Sequence, residues 1–156
     1  MTYFPDLAPC EYFSFFDSAK VRAVGWLDGT HSFPTGPIDT DLLLRLFILA
    51  ESPWEPGTFM GYHTCELCTQ PDSYITPVVF EGRRLLVGVH NLFVPGDSVV
   101  YAAPSMILHY ILVHGYRPPD EFAAAIRACP GMMTPEYVDA MKRNGPDTIV
   151  SHFADS

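Results

Sequence analysis

The six residues His63-Thr64-Cys65-Glu66-Leu67-Cys68 hold an imidazole and two thiols. A Cys-x-x-Cys turn brings two thiolates to one tetrahedral ion with little strain. His63 lies two residues before Cys65, so an extended backbone points both side chains the same way. Gly61 just ahead frees the chain to bend. Mixed sulfur and nitrogen donors fit Zn²⁺ better than Fe²⁺ or Cu⁺. The expectation is a metal site with zinc as cofactor and His63, Cys65 and Cys68 as three ligands.

The fourth ligand must come from elsewhere. His109 interrupts an otherwise apolar helical stretch, and a buried imidazole needs partners for its nitrogens. That makes His109 the expected fourth ligand, with His31, in a loop rich in proline and glycine, as the alternative. His114 is five positions beyond His109, ~140° around a straight helix. It is therefore set aside as a helix-end imidazolium. Cys129 reads as core, Cys10 sits in an aromatic arm, and His90 reads as a turn residue.

Three roles fit such a centre. A structural zinc uses four protein ligands. A catalytic metal, of hydrolase or lyase type, keeps one position for water, with Glu66 or Asp28 as general base. A thiol-redox pair would use Cys65 and Cys68 with His63 lowering a thiol pKa. Against the last, Pro71 follows too soon for a helix to open after the first cysteine. No phosphate loop, nucleophile elbow, His-Glu-x-x-His helix or calcium loop is present in the sequence.

The scaffold around these residues is 156 residues long, 48% hydrophobic and only 17% charged, which excludes a disordered chain. Fifteen prolines and eleven glycines exclude a simple helical bundle. A net charge of −9 with no basic run argues against nucleic acid and against an anionic membrane. No apolar stretch reaches the ~18 residues of a membrane span. The absence of a basic, apolar leader and the close cysteine pair point to the cytoplasm and reduced thiols. A protein or small-molecule partner remains unspecified, and an oligomer stays open.

The fold expected is α+β: a small antiparallel sheet against two buried helices, followed by two amphipathic C-terminal helices. A strand is read over 20–27, a buried helix over 38–51, a hairpin over 77–89 turning near Glu81-Gly82, and a strand over 98–102. Residues 104–114 read as the second buried helix, capped by Gly115. Amphipathic helices follow Pro118-Pro119 and Thr134-Pro135. The long loop over 52–73, carrying the cysteine pair, needs something to tie it down. One domain over 1–150 is expected, with the chain loose from Pro146 and residues 151–156 a tail. The six aromatics of residues 1–18 read as an arm over the core.

Several segments together resemble a family of small bacterial proteins of unknown function. They are Tyr3-Phe4-Pro5-Asp6-Leu7, Gly25-Trp26-Leu27-Asp28 with His31-x-Phe33-x-x-Gly36, and Gly61-Tyr62-His63-x-Cys65-x-x-Cys68. Tyr101-Ala102-Ala103-Pro104-Ser105 running into His109-Tyr110-Ile111-x-x-His114-x-Tyr116-x-Pro118-Pro119-x-x-Phe122 completes the set. The resemblance implies one domain over about residues 3–130 and no particular activity. It singles out His31, His63, Cys65, Cys68, His109 and His114. Leu92-Phe93-Val94-Pro95 departs from the family pattern, where a shorter, more polar strand is expected.

Overall fold

The computed structural model describes residues 2–13, 16–56, 63–68 and 77–154. Gly61, Pro71 and much of the 52–73 loop lie outside the described residues. The chain is α+β, with five strands and five helices among the described residues. In order these are β1 (Val21–Ala23), α1 (Thr40–Glu51), β2 (Val78–Phe80), β3 (Arg83–Leu85), β4 (Asn91–Pro95) and β5 (Val100–Pro104). Then come α2 (Ile107–His114), α3 (Asp120–Ala128), α4 (Pro135–Asn144) and α5 (Asp147–Ala154). A 3-10 turn at Ser18–Lys20 leads into β1.

The main sheet has the order β1-β5-β4 and is mixed, not purely antiparallel. β4 and β5 form an antiparallel pair with Phe93 opposite Ala102. β1 joins β5 in parallel, Val21 opposite Val100. Parallel neighbours require a long crossover, and here the chain from β1 to β5 supplies one that includes α1. The free edge of β1 is covered by the N-terminal arm, where Leu7 and Cys10 donate to the carbonyls of Ala23 and Val21. The arm also delivers Phe13 and Phe16 to the core. The expected hairpin is shorter than predicted, β2 to β3, and turns at Glu81-Gly82 with positive φ at both residues.

Residues 92–95, the departure from the family pattern, are the greater part of β4, a strand buried along its whole length. A short apolar run without alternation marks a strand covered on both faces. α1 and α3 pack against β4 and each other, and α4 lies on β4 with α5 beside it. β5 extends through Pro104, so the second buried helix begins only at Ile107.

The chain from Asp147 to Ala154 is not loose. It forms α5, whose Ile149 and Phe153 are buried, with Phe153 stacked on Trp54 at a ring separation of 4.5 Å. These two residues are four apart and share one helical face.

Asp6 joins three parts of the chain. One carboxylate oxygen accepts from the Gly25 backbone at 3.0 Å and the other from the buried Tyr116 hydroxyl at 2.8 Å. This fixes the arm, the end of β1 and the segment after α2 relative to each other.

Candidate metal centre

α2 is buried because Ile107, Leu108, Tyr110 and Ile111 face the core. Its start is set by close approach: a Cβ on Gly25 would come within 2.9 Å of the Ile107 side chain. His109 is carried into this packing and is only 8% exposed. At the other end Gly115 takes the left-handed conformation, φ 69°, as the capping glycine should. Its N–H bonds to the carbonyl of Tyr110, five residues back, and Tyr116 N–H reaches the same oxygen. The last turn is therefore wider than the i→i+4 pattern. That widening brings His114 round towards His109, and their rings lie 5.2 Å apart.

The loop of residues 63–68 is fastened beside this helix. His63 N–H donates to the Gly88 carbonyl at 2.8 Å, and Gly88 N–H donates to Ser105 Oγ at 3.0 Å, just ahead of α2. After Cys65 the chain turns, so that the backbone N–H groups of Leu67 and Cys68 point to Cys65 Sγ. Donors aimed at sulfur favour the thiolate. Burial has the larger effect and pushes the Cys65 thiol up to about 11.

Cys65, Cys68, His109 and His114 converge, with their donor atoms all within 4.8 Å of one another. Cys65 Sγ is 3.3 Å from His114 Nε2, and Cys68 Sγ is 3.3 Å from His109 Nε2 and 3.5 Å from His114 Nε2. The edge between a sulfur and a nitrogen in a tetrahedral zinc site is about 3.6 Å, from bond lengths of about 2.3 and 2.0–2.1 Å. The observed spacings are close to that edge. Hydrogen bonding alone explains them less well, because His114 Nε2 faces two sulfurs and has either one proton or one lone pair to offer. A cation between the groups satisfies all four. Burial holds both histidines below their ordinary pKa, for His109 with help from the neighbouring His114. They therefore present neutral imidazoles, the form that ligates.

The structure brings together Cys65, Cys68 and His109 from the sequence-derived set, and it leaves His63 out. His63 turns to Tyr12, whose hydroxyl lies 3.5 Å from its Nε2. The expected shared direction of His63 and Cys65 fails because the backbone turns right after Cys65 while His63 is pinned to Gly88. His114, set aside on the straight-helix argument, takes the fourth place in the cluster. His31 does not join it: its ring stacks on Tyr3 at 3.7 Å and its Nδ1 meets Asp28 at 2.8 Å. His90 pairs with Glu55. Cys10 and Cys129 are buried in the core.

The two general-base candidates lie near the centre without joining it. Burial raises the Tyr110 hydroxyl, and the charges of Cys65, Glu66, Cys68 and Asp28 add to this, which places both carboxylates within electrostatic reach. Asp28, however, is engaged by Thr30 and His31. Desolvation is the largest single influence and raises it, but those hydrogen bonds together outweigh this and hold it at about 2.

Gly88 offers a test of how the loop is held. Its φ is +104°, and a Cβ there would lie 2.7 Å from the His63 carbonyl oxygen. Gly88→Ala should detach this fastening and weaken metal binding by about 10–100-fold, the usual cost of an outer-shell change, with all four donors intact. Competition titration against a chromophoric chelator reads this directly. Unchanged affinity would show that the Gly88 contact does not position the loop.

No curated protein and no solved structure matches the chain. One family model does, that of a domain of unknown function (DUF7919), over residues 2–127. That span contains the four clustered side chains and ends before α4. The chain belongs to this DUF7919 family.

Proposed function

We propose that this is a zinc-binding domain in which one Zn²⁺, held by Cys65, Cys68, His109 and His114, pins the 63–68 loop to α2. The observation that carries this is the convergence of two thiols from a loop and two imidazoles from a helix at sulfur–nitrogen spacings of 3.3–3.5 Å. Two sulfurs with two nitrogens select zinc among the common divalent ions. Four protein donors fill a tetrahedral shell, which supports a structural role over a catalytic one that needs an open position. The ion's work is mechanical: it replaces the short-range contacts that a turn-rich, half-buried loop lacks.

Elemental analysis tests the reading. Protein purified without chelator should carry one zinc per chain. His114→Ala and Cys68→Ser should each weaken binding by more than the ~100-fold upper range of outer-shell changes. His63→Ala should leave stoichiometry at one. A metal-free parent protein overturns the proposal, and zinc lost from His63→Ala but kept by His114→Ala overturns the ligand set.

A further inference from the structure

Solvent reaches the four donors of the metal centre unequally. His109 is buried, while Cys65, Cys68 and His114 are half-buried. Both thiols are therefore within reach of a solute the size of water. The other two cysteines are not: Cys10 and Cys129 are 0% and 3% exposed. Burial pushes each of those thiols up to about 11, which keeps them protonated at neutral pH. A protonated, enclosed thiol is inert towards oxidants.

A bound ion sharpens this contrast. A thiol that coordinates a metal is deprotonated outright. Zinc would thus hold Cys65 and Cys68 as a standing pair of thiolates at the accessible end of the chain's thiol chemistry. The pair is also placed to react with itself. Its sulfurs lie within 4.8 Å and close enough to hydrogen-bond to each other. Only Glu66 and Leu67 separate the two cysteines, and that Cys-x-x-Cys spacing is the one dithiol–disulfide pairs use.

We propose that Cys65 and Cys68 form a reversible oxidation site, at which a hydroperoxide converts the zinc-bound pair to a disulfide, expels the ion and releases the 63–68 loop from α2. This rests on the zinc reading above. One thiolate sulfur attacks a peroxide oxygen and breaks the O–O bond, leaving a sulfenic acid and hydroxide. The second thiolate attacks that sulfur, forms the S–S bond and displaces a second hydroxide. With hydrogen peroxide, two thiolates, one peroxide and two protons become one disulfide and two waters. The sulfurs lose two electrons and the peroxide gains them. A disulfide lacks the thiolate charge that zinc requires, so only the two imidazoles remain as ligands. A dithiol reductant reverses the step by exchange, becoming a disulfide itself, and returning zinc displaces the two thiol protons. The pair is here the oxidant's target and not a catalyst of exchange, so it needs no helix opening at its first cysteine.

The test treats the parent protein, its zinc content measured first, with hydrogen peroxide beside a chromophoric zinc indicator; an untreated sample sets the baseline. One zinc should be released for each peroxide consumed and each disulfide formed. Peptide mapping after alkylation should place the disulfide between Cys65 and Cys68, with Cys10 and Cys129 still free thiols. The oxidised chain should bind zinc more than ~100-fold more weakly, beyond the range of outer-shell changes. Dithiothreitol followed by zinc should restore the starting state. Hydrogen exchange of the oxidised chain should rise in 63–68 and the last turn of α2. A parent protein that takes up no zinc overturns the zinc reading and this proposal with it. Three results overturn this proposal alone and leave the zinc reading standing. One is zinc retained through excess peroxide. Another is zinc released only as sulfinic acids form or as Cys10 or Cys129 is oxidised. The third is a disulfide that dithiothreitol does not reduce.

Discussion

Stripping zinc with a tight chelator should lower the melting temperature by about 8–16 °C. An ion present at 1,000 times its dissociation constant adds about 4 kcal/mol to folding. In a chain of this length each kcal/mol shifts melting by about 2–4 °C. The chain should nevertheless remain folded, unlike a small zinc finger. Its core is built from α1, α2, the β1-β5-β4 sheet and the arm, with Trp26, Phe47 and Phe93 fully buried. The proposed ion would tie down one segment of a domain that already has a hydrophobic core. Hydrogen exchange should accordingly show lost protection in 63–68 and the last turn of α2, with β4 and β5 nearly unchanged. Calorimetry of the parent and of a Cys65→Ala/Cys68→Ala double variant checks the size. If the chelated parent melts within 2 °C of the untreated protein, at the low end of the ~2–4 °C per kcal/mol scale, a structural ion is excluded.

What could be read from the sequence follows the range of the interactions. The cysteine pair was legible because four adjacent residues decide it: the turn through Glu66 and Leu67 is local, and so are the amides it aims at Cys65. His109 was legible as a polar residue in an apolar helix. His114 was missed because the angle between it and His109 was computed for a regular helix. Gly115 and Tyr116 both bond to Tyr110, and that widened end invalidates the regular spacing. The glycine was visible in the sequence; the shared carbonyl was not. His63 stands outside the cluster because its neighbour in space is Tyr12 of the arm, 51 residues earlier, and spacing along the chain says nothing of such contacts.

The fold divides in the same way. The β2–β3 hairpin and the caps of α2 and α4 are written in adjacent residues, among them Glu81-Gly82, Gly115 and Thr134. The parallel pairing of β1 with β5 depends on packing across nearly eighty residues, and no local pattern encodes it. β4 was obscured because a strand buried on both faces loses the alternation that identifies a half-exposed one. α5 did leave a signal, Ile149 and Phe153 one helical turn apart, but its receptor is Trp54, three residues beyond the end of α1.

The apparent zinc affinity should rise steeply with pH, by about 100-fold per unit near neutrality. Two thiols enter the shell as thiolates, so two protons leave for each ion bound. Burial keeps Cys65 protonated up to about 11 in the metal-free protein, so its proton must be displaced throughout the physiological range. The histidines add nothing at pH 7, because burial lowers the pKa of His109 and His114 and leaves them neutral there. Only at lower pH should their protonation steepen the dependence towards four protons per ion. The metal-free domain carries a smaller trend of the same sign. A histidine whose folded pKa lies below the unfolded value of about 6.5 binds more protons when unfolded. Stability from His109 and His114 is thus present above that value and lost as the pH falls through it. Competition titrations from pH 6.5 to 8, with proton release measured in buffers of different ionisation enthalpy, check the count. A slope near one would mean that a single thiolate binds. A slope near zero would mean that neither sulfur is a ligand, leaving Cys65 and Cys68 as half-buried thiols hydrogen-bonded to the two imidazoles.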